Sequence, residues 1–288
     1  VYDNNHIFFD WTDFVNMVNV THLKILGIIS IENYYIYQDS DEEEPFSFVI
    51  VDKKGNKKKV DIHNCFTCSK FYKSDNIEAI VNDYLLSKGK NNEEMNPTIR
   101  SKIIFGIACT MKQLHDRNVI HRNLTLHNIL LDENKEPKIC SFSLAKFLTS
   151  PKEKLYDIGT PFYMAPEVIN FYNDDDDGYG FPVDVYSFAF CLYCMFTTKK
   201  TFPDDKNPKN HNELFNLIIR GLRPIKQPTI PDNYWDLIQR CWKQNPYDRP
   251  TFAEIVQELK NDKYALEEFG MKTDLNQLHE YHNRMDNY

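Results

Sequence analysis

Residues Val185-Tyr186-Ser187-Phe188-Ala189-Phe190-Cys191-Leu192-Tyr193-Cys194-Met195-Phe196 run without one charged side chain. A segment that is apolar around its whole circumference does not suit a surface helix; it reads as a helix buried on every side. It falls short of the ~20 residues that cross a bilayer, and no uninterrupted apolar stretch of the chain reaches that length. The chain must therefore enclose this helix itself. With 288 residues, 42% of them hydrophobic, it has the material for one large domain or for two lobes sharing a core.

Cys191 and Cys194 form a C-x-x-C inside that run, and burial in a helix accounts for them better than zinc does. The other C-x-x-C, Cys65 and Cys68, has His63 nearby but no second ligand pair at useful spacing. Seven cysteines is an odd count, and reduced thiols in a cytoplasmic setting are the expectation. A net charge of −8 disfavours a nucleic-acid partner, because no basic face dominates. Val1-Tyr2-Asp3-Asn4-Asn5-His6 has neither a basic head nor an apolar signal core, so neither secretion nor a membrane partner is expected.

The local patterns change along the chain. Residues 25–31 and 46–51 are rich in branched and aromatic side chains and read as strands. Asp39 to Glu44 reads as a solvated acidic loop, and Lys53 to Lys59, around Gly55-Asn56, as a basic turn between strands. From Pro97 onward Ile99, Ile103, Ile104, Ile107, Met111 and Leu114 share one face at helical spacing. Short strands follow at Val119-Ile120, Ile129 to Leu131 and Lys138 to Cys140, with Asp132 to Lys135 as the turn of a small hairpin. Past residue 183 the chain reads as mostly helical, broken at prolines. Asp174 to Asp177 reads as a solvated loop. Residues 261–288 read as a helix followed by a polar tail.

Several motifs stand in an order that is similar to the protein-kinase family. His121-Arg122-Asn123-Leu124-Thr125-Leu126-His127-Asn128 resembles the catalytic loop H-R-D-L-x-x-x-N. Lys138 to Lys146, containing Ser141-Phe142-Ser143, resembles the strand and turn that carry D-F-G. Gly159-Thr160-Pro161-Phe162-Tyr163-Met164-Ala165-Pro166-Glu167 resembles the end of an activation segment. Asp184 to Phe188 resembles the start of the central helix, and Cys241 to Phe252 the closing motif of tyrosine kinases and tyrosine-kinase-like kinases. The resemblance implies an α+β, two-lobed fold. It implies that residues 1–96 form a small, divergent or partial, β-rich N-lobe with insertions, residues 97–265 a mainly helical C-lobe, and residues 266–288 a C-terminal helix and tail. It further implies that Glu167 pairs with Arg249, and that Asp184 accepts hydrogen bonds from backbone N–H groups around His121 and Arg122.

The departures from the family fall on the residues that carry its chemistry. Phosphoryl transfer needs a proton acceptor, metal ions on the phosphates and a clamp on the triphosphate. The acceptor position holds Asn123, an amide with almost no proton affinity and a donor of its own. The magnesium-binding D-F-G aspartate is replaced by Ser141, a neutral hydroxyl and a poor ligand for a hard dication. Ser143 replaces the glycine of that turn, and Thr125 stands where serine/threonine kinases usually place lysine. Asn128, the other metal ligand of the family, is retained. No G-x-G-x-x-G can be built from the nine glycines. Lys24 matches the phosphate-binding lysine on one alignment; on the other, Asn19 to Gly27 resembles the turn and strand after the regulatory helix, and the first strands are absent.

These departures imply a pseudokinase: a regulatory or scaffolding module whose partners are other proteins, such as an active kinase or a substrate-like protein. No working cofactor is expected, ATP and Mg²⁺ included, although Lys24 and Asn128 are the positions that would touch them. Arg122 is positioned by the motif to meet a phosphate on Thr149, Ser150, Tyr156 or Thr160. Two alternatives stay open: an active serine/threonine-type kinase with a non-standard metal or proton route, and a nucleotide-binding switch without catalysis.

Overall fold

The computed structural model describes residues 34–38, 47–52 and 57–61 by their backbone. It describes residues 77–90, 95–132, 134–148, 159–169, 178–200, 202–203 and 207–286 with their side chains, those of Ser143 and Phe147 excepted. Strands β1 (Tyr34–Gln38), β2 (Ser47–Asp52) and β3 (Lys57–Asp61) form an antiparallel sheet in that order. Tyr34 lies opposite Asp52, and Ser47 opposite Asp61. The strand expected over 46–51 is β2. The basic turn is shorter than expected: Lys57, Lys58 and Lys59 stand in β3, opposite Val51, Ile50 and Val49. Pairing with a branched-residue strand outweighs the low strand preference of lysine. The strand expected over 25–31, the acidic loops and Cys65/Cys68 lie outside the described residues.

The helices begin with α1 (Ile77–Leu86), ahead of the start at residue 97 expected for the helical lobe, and continue with α2 (Pro97–His115). Asn96 opens α2 by accepting the Ile99 N–H at 3.0 Å, with Pro97 in the first turn where its missing donor costs nothing. The expected face of α2 is buried at Ile103, Ile104, Ile107, Met111 and Leu114. Four short strands follow: β4 (Val119–Ile120), β5 (Ile129–Leu131), β6 (Pro137–Ile139) and β7 (Lys146–Phe147). β4 pairs with β7 and β5 with β6. The β5–β6 turn is held by Asp132, whose carboxylate accepts the N–H groups of Asn134 and Glu136, each at 2.9 Å.

The rest is α3 (Pro166–Ile169), α4 (Pro182–Phe196), α5 (His211–Ile219), α6 (Asp232–Cys241), α7 (Phe252–Leu259), a hairpin of β8 (Glu267–Glu268) and β9 (Met271–Lys272), and α8 (Leu275–Asp286). Every residue of α4 from Val183 to Phe196 is buried. Its rings meet those of the surrounding elements: Phe188 on Phe252 at 5.4 Å, Phe190 on Trp242 at 5.4 Å and Phe196 on Tyr234 at 4.8 Å. Burial pushes the thiol pKa of Cys194 up to about 11 and that of Cys191 well above its usual value. Both are packing residues, protonated and inert at neutral pH.

The last segment differs from the sequence reading. A helix was expected first and a polar tail after it; instead a hairpin comes first and the helix ends the described chain. Leu278, Tyr281 and His282 form a buried stripe that α8 lays along α2, with Tyr281 edge-on to Phe105 at 6.1 Å. The polar residues between them disguise that stripe. Gly106 of α2 sits under Tyr281 and Pro137 with no room for a side chain. Arg100, also on α2, is fully buried; it bonds the Glu268 carboxylate of β8 and the Met195 carbonyl of α4. Its guanidinium lies 5.4 Å from the Tyr84 ring and 5.0 Å from the Phe196 ring. Among the described residues no helix is long and apolar enough to cross a membrane.

Candidate functional site

The loop between β4 and β5 is anchored from behind by Asp184, in the first turn of α4. Asp184 is fully buried, and its two carboxylate oxygens accept the N–H groups of His121 and Arg122, each at 2.8 Å. His115 Nε2 adds a third contact at 3.0 Å. Burial by itself raises the pKa of this carboxyl; the contacts with His115 and the His121 backbone outweigh it and hold the group below its ordinary value. These bonds stabilise Arg122 at φ +63°, a left-handed conformation that costs a non-glycine residue roughly 1–2 kcal/mol.

His121 is buried, and burial lowers its pKa, so the ring is neutral at pH 7. Its Nε2–H donates to the Cys140 carbonyl at 3.1 Å and its Nδ1 accepts the Asn123 N–H at 3.3 Å. The Phe142 ring packs edge-on against it at 4.9 Å. His282, stacked on Phe105, is likewise held low by burial, at about 4. Both histidines take up protons more readily unfolded than folded. Their contribution is therefore complete above about pH 6.5 and falls below it, each by up to ~1.4 kcal/mol per pH unit. Asp184 adds acid lability only below its own ordinary range. The urea midpoint is expected to drop between pH 7.5 and 5.5, less steeply in His282→Phe; an unchanged midpoint would contradict the assignment.

Three sequence-expected positions meet around Asn123. Its side-chain oxygen accepts the Thr160 hydroxyl at 3.0 Å, and its backbone carbonyl accepts the Asn128 amide N–H at 2.8 Å. The Asn128 backbone carbonyl accepts the Cys140 N–H at 2.9 Å, so Ser141 follows directly on a residue bonded to Asn128. Ser141 is left-handed, φ 63° and ψ 54°, and opens a 3₁₀ turn over Phe142–Leu144. Thr125 is buried, and its hydroxyl makes no hydrogen bond among the described residues. Arg122 Nε donates to the Leu144 carbonyl, tying the loop to that turn.

The donor set tests whether magnesium fits. At the two positions where the family holds the ion, the chain offers the amide of Asn128 and the hydroxyl of Ser141. Both are neutral, and a hard, tightly hydrated dication is held by carboxylates. Among the described residues no group of three or more His, Cys, Asp or Glu is placed to hold a metal ion. Among the described residues, the side chains at these positions do not fit magnesium.

Below the loop, Glu167 of α3 takes both ends of the Arg249 fork, at 2.6 and 2.8 Å. Arg249 also donates to the carbonyls of Lys243 at 2.9 Å and Pro182 at 3.0 Å, and lies 5.1 Å from the Tyr186 ring. Ser187 of α4 donates to the Tyr163 carbonyl at 2.8 Å. Gly159, at φ +150°, passes Arg122 so closely that a Cβ there would lie 3.3 Å from the Arg122 carbonyl oxygen.

The structure thus gathers His121, Arg122, Asn123, Asn128, Ser141 and Thr160 at one loop, with Asp184, Glu167 and Arg249 supporting it. Lys24, Thr149, Ser150 and Tyr156 lie outside the described residues. Sequence reasoning missed His115, Arg100 and the contact of His127 Nδ1 with Glu78 at 2.8 Å. His115 and Arg100 had a signal: both continue the apolar stripe of α2, four residues from Met111 and Ile104. A charged residue on a core face marks a buried partner.

A protein-kinase-like scaffold is the class that this loop, the ion pair beneath it and the central buried helix define. The chain matches the protein kinase domain family over residues 56–260; it belongs to that family. It is 34% identical over 186 residues to the "Light-sensor Protein kinase" of Ceratodon purpureus, covering 57% of this chain and 14% of that protein. It is 35% identical over 173 residues to "Cyclic GMP-binding protein C" of Dictyostelium discoideum, covering 58% and 6%. It is 39% identical over 150 residues to "Mitogen-activated protein kinase kinase kinase 1" of Arabidopsis thaliana, covering 51% and 23%. The chain spans less than a quarter of the length of each.

Proposed function

We propose that this kinase-family domain is a pseudokinase, which acts by binding other proteins and not by transferring phosphate. The observation that carries the proposal is Asn123. The position that must accept the substrate hydroxyl proton holds an amide, and its oxygen is engaged by Thr160. Loss of a general base costs about 10²–10⁴-fold in rate. The neutral pair Asn128 and Ser141 removes the metal as well, and these two losses strike different parts of one mechanism. Meanwhile Asp184, Glu167 and Arg249, which hold shape and not chemistry, keep their bonds. An active kinase is a natural partner, and phosphorylation at Thr149, Ser150, Tyr156 or Thr160 with Arg122 as the receiving cation is the modification this reading allows.

Active phosphotransfer is the competing reading, supported by the names of relatives such as the "Dual specificity protein kinase pyk3" of Dictyostelium discoideum, 34% identical over 172 residues. The two separate in one assay. Purified protein with labelled ATP, magnesium or manganese and generic protein substrates is expected to incorporate no more label than its Asn128→Ala variant. Incorporation that Asn128→Ala abolishes would establish the competing reading.

A further inference from the structure

Away from the loop, a groove of about 270 Å³ opens between the segment after α5 and the end of α6. That volume takes one or two side chains and lies below the ~300–1,000 Å³ of a small-molecule site. One wall is aromatic: Trp235, half-buried, meets Trp242 edge-to-face at 5.6 Å and 88°. Pro224 adds to it. Trp242 is buried at 5% exposure, so contact with it costs a ligand little ordering of the site.

The rim is cationic. Arg223 is locked in place by neutral acceptors: the carbonyls of Trp242 at 3.2 Å, Ile218 at 3.1 Å and Leu222 at 2.8 Å, and the Gln244 side-chain oxygen at 2.8 Å. Lys243 is exposed, and among the described residues no carboxylate stands within ion-pair distance of it. The acidic residues of α6 do not neutralise the groove: Asp232 pairs with Lys226, and Asp236 with Arg240 at 3.1 Å. Among the described residues that line it, none is acidic. The groove carries the cations Arg223 and Lys243 beside two tryptophans on a chain of net charge −8, and charge complementarity favours an acidic partner there.

We propose that this groove docks a short acidic segment of a partner protein. An apolar side chain of the segment, proline or leucine, lies against Trp235 and Trp242, and an adjacent carboxylate meets Lys243 and the field of Arg223. The tryptophans supply the anchor and the cations the selectivity. The inference deepens the reading of the domain as a protein-binding module and rests on it. It involves no residue of the loop site.

The test uses the whole chain and a fluorescein-labelled peptide of repeated Glu-Glu-Pro-Leu, with the repeated Gln-Gln-Pro-Leu peptide as the neutral control. Anisotropy is expected to show binding of the acidic peptide that is weakened about tenfold or more by Lys243→Glu, by Trp235→Ala and by the neutral control. Lys243 is exposed, so its variant keeps the fold and circular dichroism verifies that. Binding unchanged in Lys243→Glu, or no binding of the acidic peptide, would overturn the groove assignment while leaving the phosphotransfer result untouched. Dimerisation of the free chain that Trp235→Ala abolishes would also overturn it, by assigning the groove to a second copy.

Discussion

Arg249→Ala is expected to lower the unfolding free energy by about 3–5 kcal/mol, the cost of breaking a buried ion pair from one side. The guanidinium holds Glu167 through two bonds and also serves the carbonyls of Lys243 and Pro182. Removing it leaves a carboxylate facing the packed ring of Tyr186 and at least two backbone acceptors without their donor. For a domain of this size the melting temperature should fall by roughly 10 °C. Arg249→Lys should recover only part of the loss, because an ammonium cannot reproduce a two-pronged fork on a carboxylate. A urea titration followed by tryptophan fluorescence reads both variants. A loss below ~1 kcal/mol, the range of surface pairs, would show the pair to be incidental.

Glu268→Ala should cost a similar ~3–5 kcal/mol, for a sharper reason. Arg100 has no access to solvent, and the carboxylate from β8 is its only acidic partner among the described hydrogen bonds. Deleting that carboxylate strands a cation between the rings of Tyr84 and Phe196. The double variant Arg100→Met, Glu268→Leu removes both charges and should regain most of the loss. Equal urea midpoints for Glu268→Ala and the unaltered protein would refute the account, as would a double variant worse than the single. The expected result also makes the hairpin and α8 part of the domain. They lie beyond residue 260, where the family match ends.

Much of this was legible in the sequence, and the exceptions share a cause. The face of α2 and the total burial of α4 follow from the spacing and composition of apolar residues, which report burial directly. The β5–β6 hairpin follows from Asp132, whose side chain caps its own turn. The loop and its supports follow from motif order. The place of Arg100 on the core face of α2 was legible, but its partner Glu268 and the docking of α8 were not, because they depend on surfaces about 170 residues apart in the chain, as in the contact of Ser101 with Thr273, 172 residues away. No local pattern encodes such a partner. Lys57 to Lys59 were misread as turn because lysine carries a weak strand preference that sheet pairing overrides. Thr160 was legible only as a hydroxyl on a loop; its bond to Asn123 needed the folded segment.

The account stands on the neutrality of positions 123, 128 and 141. The most direct measurement is the melting temperature with a non-hydrolysable ATP analogue, titrated with and without magnesium. Without a carboxylate to seat the ion, any shift the nucleotide produces should be the same in both series. A shift that appears only with magnesium, and that Asn128→Ala and Ser141→Ala each remove, would show that these neutral side chains do hold the metal.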